Sequence, residues 1–227
     1  MKIDLEPYFK EYEALAAAAD AVFRKVRAQY AECVACHTGC ADCCHALFDL
    51  TLVEAMYINR RFQERFPQEA HADLLEKANR ADRKTYKLKR RAYKELRDGR
   101  RNEAQILREM AEHKVRCPLL NDRDLCDLYD FRPITCRFYG IPTAINGRAH
   151  TCGLSRFKPG EPYPTVHLEK IQKRLYDLSA RLVADIGSRY PNLSEMLVPL
   201  STALLTRYDD DYLGIGKDPG GAEACDE

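Results

Sequence analysis

Apolar residues recur at helical spacing along most of the chain, and two cysteine-rich stretches mark where that spacing stops. Tyr8, Tyr12, Leu15, Ala19, Val22, Phe23, Val26 and Tyr30 fall on one face of a helix over 5–30. Asp4 is placed to cap it, and Pro7 sits in its first turn, where a missing N–H costs little. A second helix starts at Thr51, which with Glu54 has the spacing of a capping box. Leu50 and Ala55 are placed to staple its start, and it ends near Pro67. Residues 68–114 read as helical with a break near Gly99. Their apolar stripe runs through Leu74, Leu75, Ala78, Tyr86, Tyr93, Leu96, Leu107 and Met110. Ile171, Leu175, Leu178, Leu182 and Ile186 share one face of a helix over 166–186, stopped by Gly187. Asn192 and Glu195 are positioned to cap a last helix, which Pro199 kinks or splits. Asn146-Gly147 is a two-residue hairpin turn that sets Ile145 opposite Arg148. The pattern predicts a mostly α fold: an irregular helical bundle of five or six helices, with two cysteine-rich loop segments and a short β-hairpin at 143–151. The expected organisation is a single metal-binding helical domain over 1–214, with 68–114 a long helical insertion, followed by a flexible tail over 215–227.

Composition narrows the chemistry. No apolar run approaches the ~20 residues of a membrane span. The acidic start (Asp4, Glu6, Glu11, Glu13) lacks the pattern of a secretion signal. The expected setting is the cytoplasm, where thiols stay reduced, and there ten cysteines point to metal or catalysis over disulfides. The net charge of +1 gives no global pull towards nucleic acid or membrane. Locally, 80–101 holds eleven Lys or Arg against three Asp or Glu. The functional reading is a basic helix that meets nucleic acid or an acidic protein partner; with no aromatic-rich binding motif beside it, the span reads first as a solvated helix face, without strong evidence for nucleic acid.

The first cysteine stretch, CVACHTGCADCCH (Cys33 to His45), spaces its thiols as C-x2-C-x3-C-x2-C-C-H. The second contributes Cys117, Cys126, Cys136 and Cys152. Such steps let thiolates converge on one centre, and soft sulfur donors select zinc or iron–sulfur clusters. The nine thiols from Cys33 to Cys152 suffice for two four-ligand sites with one spare, or for one site with several supporting thiols. Adjacent side chains point apart, so Cys43 and Cys44 fit two sites, a polynuclear cluster, or one spectator better than a single tetrahedral ion. His37 and His45 flank the thiols as ligands or as hydrogen-bond donors to sulfur. Arg132 and Arg137 bracket Cys136; they either offset thiolate charge or pair with Asp127 and Asp130. Hairpin pairing sets Cys152 opposite Ile141, which leaves Cys136 roughly 16 Å away on a straight strand. Either the chain bends at Gly140-Ile141-Pro142 or the two thiols serve different sites. Cys225 reads as free in the tail, and Asp209-Asp210-Asp211 lacks the remaining features of a calcium loop.

Cys40-x2-Cys43-Cys44, CPLL from Cys117, Cys126-Asp-Leu-Tyr129 and RPITCR from Arg132 together resemble the YkgJ-type cysteine cluster family, whose members are described as zinc- or iron-chelating. The resemblance implies metal binding through Cys36, Cys40, Cys43, Cys44, Cys117, Cys126, Cys136 and Cys152, with Cys33 an additional thiol. It does not separate iron from zinc. The principal reading is a protein binding an iron–sulfur cluster (4Fe-4S) with a redox, sensing or catalytic role. The alternatives are a structural zinc protein acting as an interaction module, a thiolate metal-handling protein, and a methylase similar to the S-adenosylmethionine-dependent flagellin lysine N-methylase FliB. No Ser-His-Asp set, phosphate loop, paired-carboxylate motif or dinucleotide fingerprint accompanies the thiols, so no catalytic residue or substrate is named.

Overall fold

Residues 4–216 are described by a computed structural model, and the first element is the long helix its apolar spacing predicts. Helix α1 (Glu6–Gln29) buries Phe9, Tyr12, Ala16, Ala19 and Val26 and leaves Val22 exposed. Asp4 accepts the Glu6 N–H at 3.0 Å, with Pro7 in the first turn. The loop after α1 carries the first cysteine stretch. Strand β1 (Asp49–Thr51) then runs directly into α2 (Leu52–Arg65), which ends just before Pro67 as expected.

The capping box at the start of α2 does not form. Thr51 sits at the N-cap without a side-chain bond, and its buried hydroxyl oxygen has no partner. Glu54 turns inward instead, where it is 2% exposed. Its Oε1 accepts from the Tyr12 hydroxyl and from the Ile134 N–H, each at 2.8 Å, so α1 and the second cysteine segment are tied to α2 through one carboxyl. Burial raises the pKa of Glu54, and these two donors only partly offset it. The stability this carboxyl contributes is therefore fully present below its ordinary pKa and is lost as pH rises through the raised one. Glu54→Gln keeps an acceptor without the charge. Its melting temperature relative to wild type is expected to climb as pH rises from the ordinary carboxylate range through the raised pKa; a difference that does not change with pH would contradict the assignment.

Residues 68–114 form α3 (Gln68–Arg97) and α4 (Glu103–Glu112), separated around Gly99 as expected. Asn102 and Gln105 close a capping box at α4 that the sequence reading missed. The buried line of α3 is Leu74, Ala78, Ala81 and Thr85, which packs on a late helix, α7 (Leu200–Leu205). Tyr86, Tyr93, Leu96 and Leu107, placed in the apolar stripe by hydrophobicity, face solvent instead, Tyr86 and Tyr93 at 62% and 66% exposure. Small residues make the close contact here, and Tyr86 lies about 100° round the helix from Thr85.

The second cysteine segment folds through a short helix, α5 (Ile134–Phe138), which the sequence did not announce, into the predicted hairpin β2 (Thr143–Ile145) and β3 (Arg148–His150). Ile145 pairs with Arg148, and Asn146 and Gly147 both adopt positive φ as the turn requires. Strand β4 (Val166–His167) adds in parallel to β2 and leads into α6 (Leu168–Asp185). The expected last helix from Asn192 is replaced by a 3-10 turn (Pro191–Glu195) and a strand, β5 (Leu197–Pro199), antiparallel to β1; Pro199 then starts α7. The fold is mostly α, with seven α-helices among the described residues and two small sheets. The core joins α1, α2 and α6 through Tyr12, Leu52, Ile58, Phe62, Leu178 and Leu182. The tail from 217 onward, with Cys225, lies outside the described residues.

Candidate metal centre

The two cysteine segments meet. The Cys117 N–H donates to the Cys44 carbonyl at 2.7 Å, and the Val115 N–H donates to the His45 carbonyl at 3.0 Å. The Cys36 thiol donates to the Tyr139 carbonyl at 3.6 Å, and the Cys152 thiol to Asp42 at 3.5 Å. Between the segments lies a cavity of about 730 Å³. Cys36, Cys40, Cys43, Cys44, Cys117, Cys126, Cys136 and Cys152 all line it, which are the eight thiols of the resemblance. Cys33 does not line it: it is buried against the core beside Glu32, its thiol 3.6 Å from Oε1. All nine described cysteines are free thiols.

The segments are aimed into the cavity by backbone geometry. Cys43 and Cys44 sit on a 3-10 turn (Asp42–His45) with their sulfurs 4.0 Å apart. Cys136 lies at the middle of α5, whose start is anchored by Glu54. Cys136 therefore lies on a helix and not on a straight extension of β2, and the chain turns at Gly140 (φ +98°) before the hairpin. A Cβ at Gly140 would lie 2.2 Å from the Cys36 sulfur. Gly140→Ala is thus expected to cost more than about 1 kcal/mol and to lower bound metal by displacing Cys36. Elemental analysis and a thermal melt check it; full metal with an unchanged melt would mean that the loop yields.

Burial holds most of these thiols up. Cys36 is pushed up to about 11, first by burial and then by charge at Cys40, Cys152 and Cys43. Cys117 is pushed up to about 12 by burial, with Cys126 and Cys43 adding to it. Cys136 is raised strongly by burial, then by Cys43, Cys117 and Cys126. Cys43 is the exception: its contact with the Cys44 thiol lowers it and pushes Cys44 up. These electrostatic influences sort the thiols. Cys44, Cys117, Cys126 and Cys136 form one set, Cys36, Cys40 and Cys152 another, and Cys43 acts on both.

Four arginines, Arg27, Arg116, Arg132 and Arg137, line the same cavity. Arg132 and Arg137 do not pair with the carboxylates of Asp127 or Asp130. Both bind Asp20 on α1, Arg132 at 2.9 Å, and Arg137 also donates to the carbonyls of Arg132 (3.0 Å) and Asp130 (2.7 Å). Asp42 lines the cavity too. Burial raises its pKa, but donors from Lys114 and Tyr139 outweigh that and leave it below its ordinary value. His37 lines the rim, its Nδ1 2.8 Å from the Thr38 carbonyl; His45 is absent from the lining and bonds the Ala41 carbonyl at 3.0 Å. Asp20, Asp42 and Gly140 carried no sequence signal as site residues, although Gly140 was legible as a bend.

Among the described residues, no three Cys, His, Asp or Glu side chains converge closely enough to hold one ion. Sulfurs bound to a single zinc would sit ~3.8 Å from one another, given Zn–S bonds of ~2.3 Å. The thiols instead surround a common space, and the donor set is soft, abundant and flanked by guanidinium groups. The arrangement is that of a metal-binding cysteine-cluster domain. The chain belongs to the CxxCxxCC family, described as "Putative zinc- or iron-chelating domain", whose model matches residues 35–153. The match begins after Cys33, in agreement with that thiol's place outside the cavity. Comparison with curated proteins and with solved structures gave no match. No helix among the described residues is long and apolar enough to cross a membrane.

Proposed function

We propose that the chain is an iron–sulfur protein whose eight cavity thiols are divided between two four-thiolate centres. The observation that carries this reading is the single cavity of about 730 Å³ lined by all eight, with no three of them at single-ion spacing. A cluster brings its own iron and sulfide and takes thiolates from around a cavity, where a bare ion needs them in mutual contact. Cys44, Cys117, Cys126 and Cys136 would hold one centre, and Cys36, Cys40, Cys43 and Cys152 the other. Adjacent Cys43 and Cys44 then serve different centres, which removes the strain of placing both on one. Each four-thiolate centre would carry a formal charge of about −2; Arg27 and Arg116 would offset part of it, and Arg132 and Arg137, which share the single carboxylate of Asp20, would add one net positive charge. A full thiolate complement leaves no open metal position, which favours electron transfer or redox sensing over substrate chemistry at an open iron. Nine free thiols support a reducing compartment, the cytoplasm.

The test is anaerobic purification with iron, zinc and inorganic sulfide assays. Iron and sulfide in equal amounts, with visible thiolate-to-iron absorption, is the expected result. A colourless protein free of iron and sulfide would overturn it. Stoichiometric zinc whose removal unfolds the chain would establish the second reading, structural zinc, which the backbone clasp of 115–117 on 44–45 favours.

A further inference from the structure

The outer face of α3 is a second surface that the metal reading leaves unused. Several cations of the basic span are already engaged: Lys84 bonds the Lys114 carbonyl, Lys89 binds Asp49, Arg91 and Arg101 bind Glu95 and Glu109, and Arg97 binds Asp98. Arg83, Lys87, Arg90 and Lys94 make no ion pair among the described residues. They share one face with Tyr86 and Tyr93. At about 100° per residue, these six positions occupy a sector of about 120°, and the two rings are about 10 Å apart along the axis. Neither ring is packed: both are more than 60% exposed, and among the described residues neither stacks on another ring or under a cation. Within this stretch the sector contains no carboxylate and no aliphatic side chain.

We infer that this face of α3 binds single-stranded nucleic acid, with phosphates on Arg83, Lys87, Arg90 and Lys94 and unpaired bases stacked on Tyr86 and Tyr93. The cations supply charge complementarity to a polyanion. The exposed rings choose among polyanions, because a base offers a flat face to stack and an acidic polypeptide does not. The absence of aliphatic residues argues against a lipid surface, which takes an apolar face beside the charges. Paired bases present no free face, so a duplex lacks the stacking half of the site. The inner face of the same helix contributes Ala81 and Thr85 to the cysteine cavity, so the strand would lie on the far side of the wall that closes the metal centre.

The test uses the full chain, purified anaerobically with its native metal, and fluorescence anisotropy with a labelled single-stranded oligonucleotide. Ribose and deoxyribose versions of one sequence distinguish the two sources of the ligand. Four phosphate contacts predict a log–log salt slope of about −3. Tyr86→Ala and Tyr93→Ala should each weaken binding roughly tenfold with the slope unchanged. Lys87→Gln with Arg90→Gln should make the slope shallower by about 1.4, to about half its value. Exposed side chains are changed, so thermal melts and metal content should match wild type, which makes this result independent of which metal is bound. No binding at low salt, equal binding of the matching duplex, tighter binding of polyglutamate, or insensitivity to both tyrosine substitutions would each overturn the inference.

Discussion

Cys136→Ser and Cys152→Ser should each remove about half of the bound metal, Cys136→Ser with Cys152→Ser nearly all of it, and Cys33→Ser none, if four thiolates saturate each centre. The expectation follows from the two proposed centres and from which thiols act on one another. Cys136 is raised by Cys43, Cys117 and Cys126, whereas Cys152 neighbours Asp42 and acts on Cys36. Losing one ligand from either set exposes that centre while the other keeps its four. Iron, zinc and sulfide analysis of the purified variants reads the result. If either single substitution emptied the protein, the eight thiols would form one indivisible centre. If Cys33→Ser lost metal in step with the others, the cavity boundary drawn here would be wrong.

Arg137→Ala is expected to be the most damaging change away from the thiols, at about 3 kcal/mol. The guanidinium side chain is 6% exposed and has three partners: the Asp20 carboxylate and the carbonyls of Arg132 and Asp130. Truncation leaves buried acceptors without a donor, which costs more than the net worth of the contact. For a chain of this size that is a fall of roughly 10 °C in melting temperature. Arg132→Ala should cost less, since Arg132 is more exposed and Asp20 keeps Arg137. A double-mutant cycle with Asp20→Ala should show coupling between Asp20 and Arg137. A fall of only a degree or two, or no coupling, would mean that Arg137 serves the centre's charge and not the loop's structure.

Legibility divided along the range of the interactions. Helix α1, the Gly99 break, the stop before Pro67 and the Asn146-Gly147 turn rest on residues within a few positions of one another, and spacing read them correctly. The capping box at Thr51 failed because Glu54 met distant partners, Tyr12 and Ile134, that local pattern cannot contain. The tyrosines of α3 were misplaced because hydrophobicity outranked size: the contact with α7 is made by Ala78, Ala81 and Thr85, where small side chains let backbones approach. Thr51 begins α2 with a buried hydroxyl oxygen that has no partner, and nothing in the structure explains it.

The sequence by itself determined the chemistry. Thiol number, spacing and softness define a metal-binding cysteine cluster whatever the backbone does, because donor identity is carried residue by residue. Which thiols meet was decided only by tertiary structure. Cys33 lies three residues from Cys36, yet it packs outside the cavity, its thiol beside Glu32. Cys44 lies more than seventy residues from Cys117, yet the two are backbone neighbours. Proximity of that kind is set by the packing of α1, α2 and α5 and by the bend at Gly140, which are long-range consequences of burial that no local spacing records.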